Sequence, residues 1–301
     1  MELSEWDKGH ALKYVRRESI SPFPGWADKT EGYFAMLTAA FDASGDDGTP
    51  IVSVAGFISS VKDWEDFSKL WTARLARENI KYFRAVEAAH FSKEFKPWRD
   101  WPNEDKESWR QALFTDLMEI IKSHVYRYFG CSIVNSALGE MNEDFKKEFY
   151  LTAYSIAGRT CEKRVRHWIL DEWKNSTVNV ELVFEMGDDE TELRKRLSHD
   201  HCLPPIFRPK LGMVDDKGVF HPGFVPLQAA DWLAYELSIA TRDLTSETKH
   251  IESTADLRWP LRQFCRIQGT PGVFATDDIK GFEKNIELYK HLKNWWASIG
   301  A

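Results

Sequence analysis

The chain has 301 residues and a formal net charge of -7, from 40 Lys and Arg against 47 Asp and Glu. That balance argues against a general, sequence-blind nucleic-acid binder, so any polyanion has to be met by local basic groups. A 43% hydrophobic content with 13 Trp and 19 Phe suits a packed core, and no run approaches the roughly 18 apolar residues of a membrane span. The opening Met1-Glu2-Leu3-Ser4-Glu5-Trp6 lacks the basic then apolar layout of a signal peptide, so a cytoplasmic address with no membrane partner is expected. Cys131, Cys161, Cys202 and Cys265 make no C-x-x-C pair and read as reduced structural thiols.

Residues 1–32 are polar and aromatic and read as an N-terminal arm. The continuous apolar run Phe34 to Phe41 has strand length, and a turn-forming stretch from Asp42 to Pro50 separates it from a second strand at Ile51 to Ile58, so a hairpin is expected. Trp64, Phe67, Leu70, Trp71 and Leu75 step at three or four residues, which predicts an amphipathic helix over Asp63 to Glu78. A short strand at Tyr82 to Val86 follows, then a Trp-rich irregular stretch to about Pro102, a helix at Glu107 to Ser123 and a strand at Val125 to Val134.

Residues 146–173 read as one long helix. Val178 to Phe184 reads as a strand ending at Glu185, followed by a short helix from Glu190 to Leu197 and a strand near Ile206 to Leu211. Pro226 suits the first turn of a helix running to about Thr241, and Asp278 to Ile299 forms a last amphipathic helix. Strands alternating with helices predict an α/β fold, with one domain over 33–245 carrying insertions and a helical extension over 246–301 packed on it.

Ligands of open α/β sheets bind beyond the carboxyl ends of strands, and Asp42 and Glu185 both stand where an apolar strand stops. Taken singly, each also reads as a turn former or loop acid. The third acid, Asp231, lies at the margin of the stripe Leu227, Ala230, Ala234 and Leu237, with Gln228 one helical turn before it. On spacing alone an ordinary amphipathic helix with a solvated acid serves equally well. Converging carboxylates repel one another unless a cation joins them, and hard divalent ions such as magnesium or manganese are the natural choice for phosphodiester cleavage.

Phe41-Asp42-Ala43-Ser44-Gly45-Asp46 resembles the Asp-Glu-Ser-Gly motif of the domain-of-unknown-function 3800 family, and Pro226-Leu227-Gln228-Ala229-Ala230-Asp231 resembles its Leu-Gln-x-Ala-Asp helix. Tyr82 to Glu87 is similar to its Phe-His-x-x-Asp segment, so the resemblance spans roughly residues 34–242. It implies a ribonuclease-H-like mixed sheet covered by helices and a metal-dependent phosphodiesterase or nuclease acting on DNA or RNA. Carried over residue by residue, it implies Asp42 as bridging metal ligand, Glu185 and Asp231 as flanking ligands, Gln228 as hydrogen-bonding partner and Glu87 as a fourth acid. Asp46, Asp47, Asp188 and Asp189 are alternates if strand ends fall later. Ala43 and Arg84 depart from the family's Glu and His.

The competing expectation is a non-catalytic scaffold of the same fold that binds a protein or nucleic-acid partner. A Lys or Arg at the metal position favours it; room for a cation between the acids favours catalysis. His199-Asp200-His201-Cys202 has zinc-type donors at poor spacing, so a basic loop that touches phosphate is preferred. Two basic groups, Arg159 to His167 and Arg194 to Lys210, read as solvated faces, the second mattering more because it follows Glu185. Among the Trp residues only Trp98 and Trp101 stand where an exposed base-stacking platform is feasible, and packing is favoured even there.

Overall fold

A computed structural model of the chain describes residues 34–46, 48–139, 141–172, 177–187, 190–199, 204–214, 218, 220–221, 223–245, 254–270 and 273–274. The N-terminal arm, the helix expected at Asp278 to Ile299 and the residues Asp47, Asp188, Asp189, Asp200, His201 and Cys202 lie outside the described residues.

The expected hairpin is present as β1 (Phe34–Ser44) and β2 (Ile51–Ser60), antiparallel with Asp42 opposite Ala55. Gly45 turns the chain with φ +88, where an added Cβ would come 2.2 Å from the Ile51 carbonyl oxygen, so this corner needs glycine. Helix α1 (Val61–Ala76) starts on Ser60, whose hydroxyl accepts the Asp63 N–H, and buries Trp64, Phe67, Trp71 and Leu75. The expectation for the next segment is corrected. Tyr82 to Val86 is not a strand; residues through Arg84 run extended and helix α2 (Ala85–His90) begins at once. The Phe83 and Ala85 N–H groups are taken by side chains rather than by a neighbouring strand.

A 3-10 turn at Lys93–Trp98 leads to α3 (Asn103–His124) and then to β3 (Arg127–Val134), which pairs antiparallel with β2. After a short helix α4 (Asn135–Gly139), the single helix expected over 146–173 is broken in two, its start falling in α5 (Glu143–Glu148) and the rest in α6 (Ala153–Glu172). The break has a local cause. Tyr150 adopts φ 54, and Thr152 and Ser155 exchange backbone-to-side-chain hydrogen bonds at 2.9 and 3.0 Å, a reciprocal cap that starts a new helix.

Strand β4 (Thr177–Glu185) lies parallel to β1, and β5 (Pro205–Arg208) lies parallel to β4 beyond α7 (Glu190–His199). The strand expected to reach Leu211 stops at Arg208 because Pro209 has no N–H to continue the ladder. A two-residue pair, β6 (Met213–Val214) with β7 (Phe220–His221), precedes α8 (Pro226–Leu244), which carries Pro at its first position as expected. Helix α9 (Trp259–Phe264) packs Phe264 against Phe57 and Trp232, and β8 (Gly269–Thr270) and β9 (Val273–Phe274) pair parallel with β3.

The result is an α/β fold around a mixed sheet in the order β5-β4-β1-β2-β3, extended at the β3 edge by β8 and β9. The period-2 alternation of strand side chains sorts the core into two layers. Ala40, Ala55 and Phe57 face α1, α3 and α8, whereas Ala39, Phe41, Leu182 and Phe184 face α6 and α7. No helix among the described residues is long and apolar enough to cross a membrane.

Candidate active site

Asp42 follows Phe41 on β1, and Glu185 follows Phe184 on β4; Phe41 and Phe184 are register partners in the parallel pair and stack at 5.2 Å. Both Phe side chains point into the α6 layer, so alternation turns both acids toward the opposite layer, where α8 lies. Asp231 reaches the same place from the buried first half of α8.

What joins them is an ammonium group. Lys210 Nζ lies 2.5 Å from Asp42 Oδ2, 2.6 Å from Asp231 Oδ1 and 3.2 Å from Glu185 Oε2. The Lys210 side chain is 2% exposed and that of Asp42 is fully buried, whereas the Glu185 side chain is 32% exposed and forms the open side of the cluster. The backbone leading into Lys210 is fixed. Met186 N–H donates to the Arg208 carbonyl at 3.0 Å, and Phe224 N–H donates to the Pro209 carbonyl at 2.9 Å.

Burial pushes the Asp42 carboxyl well above its ordinary range, opposed by the Lys210 charge and reinforced by its hydrogen bond with Glu185. At Glu185 burial acts upward too, but the hydrogen bond with Asp42 and the Lys210 charge outweigh it and hold the group below its ordinary value. The pair thus keeps its proton on Asp42 rather than Glu185. Burial alone would lower Lys210, but attraction to Asp42, Asp231 and Glu185 wins and raises it, so the ammonium stays charged. One ammonium faces three carboxyl groups, and the Arg84 charge bears on Glu185 as well.

Asp231 has a second duty, because its Oδ2 accepts the Ala85 N–H at 2.5 Å. Gln228, one turn earlier, directs its Oε1 to the Phe83 N–H at 2.8 Å and the Trp71 indole N–H at 2.9 Å. It therefore anchors the extended segment rather than meeting Lys210. Glu87 is buried at the start of α2, where Lys93 Nζ approaches at 3.3 Å and Arg84 at 3.9 Å, rather than on the Lys210 cluster. The charge of Arg84, whose side chain is partly exposed, also bears on Glu185.

Asp46 belongs to the β1–β2 turn, holding Gly48 N–H and Thr49, and takes no part in the cluster. Trp98 is buried and stacks on Trp109 at 4.0 Å, while Trp101 is 46% exposed. Lys210 is the member of the cluster that the sequence reading did not single out, having placed it only within a basic run. The available signal was its position two residues past a short strand that neighbours the one ending in Glu185.

The donor chemistry suits a hard divalent cation: three carboxyl groups, one of them fixed by a backbone N–H. Their centre is filled by the ammonium, and among the described residues no group of three or more His, Cys, Asp or Glu side chains is set up as it stands to hold a metal ion. A cation enters only if Lys210 leaves. The chain matches no family model, no curated protein and no solved structure.

Proposed function

We propose that the chain is a divalent-metal-dependent phosphodiesterase of the ribonuclease-H-like type, acting on nucleic acid and related to the domain-of-unknown-function 3800 family. The observation that carries the reading is the meeting of Asp42, Glu185 and Asp231 on one Nζ atom from three separate elements. The fold-level reading rests on the strand order, an antiparallel β1-β2-β3 meander whose first strand is joined in parallel by β4 and β5.

In this reading Asp42, Glu185 and Asp231 would hold magnesium or manganese, which supplies a hydroxide at neutral pH and a counter-charge for the leaving oxygen. Asp42 is the rigid donor, being buried on a strand paired on both sides. Asp231 is oriented by the Ala85 N–H. Glu185, the most open of the three, would face arriving substrate, and the partly exposed Arg84 guanidinium, whose charge bears on Glu185, would offer a fork of donors to a phosphate.

Cleavage of labelled single- and double-stranded DNA and RNA by the purified chain, with magnesium or manganese, tests this. Asp42→Asn is expected to abolish metal-dependent cleavage while circular dichroism stays unchanged; equal cleavage by wild type and Asp42→Asn would end the assignment. Lys210 favours a second reading, a scaffold whose ammonium neutralises the acids permanently. It predicts no cleavage with either metal and no manganese binding.

A further inference from the structure

Lys210 is placed where a bound cation would have to sit, and this has a consequence for how the site would load. Its Nζ contacts one oxygen each of Asp42, Asp231 and Glu185, at 2.5, 2.6 and 3.2 Å. These are charge-assisted hydrogen bonds from a group buried to 2% exposure. Without some cation there, three acids packed this closely would repel one another, and the Asp231 carboxylate would still be held to Ala85 and unable to move away.

We infer that Lys210 is a resident cation that keeps the acid cluster assembled in the metal-free protein and is exchanged for the divalent ion when one binds. The inference rests on the metal-dependent reading above and adds to it a competitor built into the chain. Exchange is expected to occur by rotation of the side chain, because the two residues before Lys210 are bonded through their carbonyls, Arg208 to Met186 and Pro209 to Phe224. The loop is further confined by Gly223, where an added Cβ would come within 2.8 Å of the Lys210 carbonyl oxygen, the Leu211 carbonyl carbon and the Gly212 nitrogen. The flexible four-carbon stem allows that rotation, and Glu185 marks the open side through which the ammonium would reach water.

Three measurements on the 301-residue chain test the exchange. Manganese binding is followed by isothermal titration and by electron paramagnetic resonance of free ion for wild type, Lys210→Met and Asp42→Asn. Thermal melting is recorded with EDTA and with manganese. Labelling of the Lys210 amine by a lysine-reactive acylating reagent is read by peptide mass spectrometry with and without manganese.

Lys210→Met is expected to bind manganese at least about tenfold more tightly than wild type, since one competing charge is gone. Its melting temperature should fall in EDTA and recover on adding manganese, whereas wild type melts nearly alike in both. In wild type, Lys210 is expected to be protected from acylation without metal and to label several-fold faster once manganese saturates the site. If Lys210→Met does not fold, Lys210→Gln and the wild-type labelling decide the matter. Equal manganese affinity for wild type and Lys210→Met, with binding lost in Asp42→Asn and Lys210 labelling unchanged at saturation, overturns the exchange and leaves the metal reading standing. Absence of manganese binding in every protein overturns the metal reading and the exchange with it.

Discussion

Asp231 holds the backbone of Ala85 at 2.5 Å, across 146 positions of sequence, with the same carboxylate that meets Lys210. A residue of the acid cluster is thereby also a tie between α8 and the extended segment that leads into α2. Substitutions here mix stability with chemistry in proportions that differ from acid to acid.

Asp231→Ala is expected to destabilise the fold by roughly 2–4 kcal/mol, because a buried N–H at Ala85 and one partner of a buried ammonium are lost together. Glu185→Gln, at a partly exposed position with one ion-pair contact, should cost about 1 kcal/mol or less. Urea denaturation of the two variants checks the contrast. Equal midpoints would show that the Ala85 bond carries no weight.

Gln228→Leu fills a similar volume but strands the Trp71 indole N–H and the Phe83 backbone N–H, both buried. We expect a loss of roughly 2–4 kcal/mol by urea denaturation, from two unsatisfied donors. Tryptophan fluorescence should shift as well, since Trp71 sits in the aromatic packing with Phe67 and Phe83. A loss under half a kcal/mol would place these bonds among the dispensable ones.

Glu236, in the middle of α8, is buried, and burial pushes its carboxyl from 4.5 up to about 7 against the opposing pull of Arg258 and Arg110. A folded-state value above the unfolded one means stability is fully present below about pH 4.5 and declines as pH rises toward 7, after which the deficit is constant. The deficit amounts to roughly 3 kcal/mol from a shift of this size. Glu236→Gln should therefore be more stable than wild type at pH 8 and close to it at pH 4. Denaturation midpoints across that pH range measure it, and parallel profiles for the two proteins would refute it.

Gly223→Ala is expected to shift the 209–212 loop, since its Cβ would press on three backbone atoms of residues 210–212 at 2.8 Å. Overpacking of this kind typically costs about 1–3 kcal/mol. The sensitive readout is protection of the Lys210 amine from acylation, which should weaken in the variant even if its midpoint changes little.

Much of the frame was legible from residue patterns. The hairpin followed from two apolar runs around a Gly and Asp turn, and α8 from its 3.6-residue stripe and N-terminal proline. Glu185 was readable as a strand-end acid, whereas β1 continues two residues beyond Asp42 to Ser44; the parallel register of Phe41 with Phe184 brings both acids to one face. Tyr82 to Val86 was misread because an extended chain alternates whether its N–H groups meet a strand or, as here, two side chains of a helix. The break at Tyr150 was hidden because helical periodicity continues on both sides of a cap made by Thr152 and Ser155. Lys210 escaped notice for a different reason: a long side chain 168 positions from Asp42 leaves no periodic trace of where its nitrogen ends.

That separation bears on how the molecule comes into being. During synthesis Asp42 emerges 168 residues before its ammonium partner, so the central strand cannot bury that acid with its counter-charge until contacts of very high sequence separation form. The nascent sheet is therefore expected to close late and all at once. A chain released before residue 210 would expose an incomplete, acid-bearing edge to chaperones and proteases.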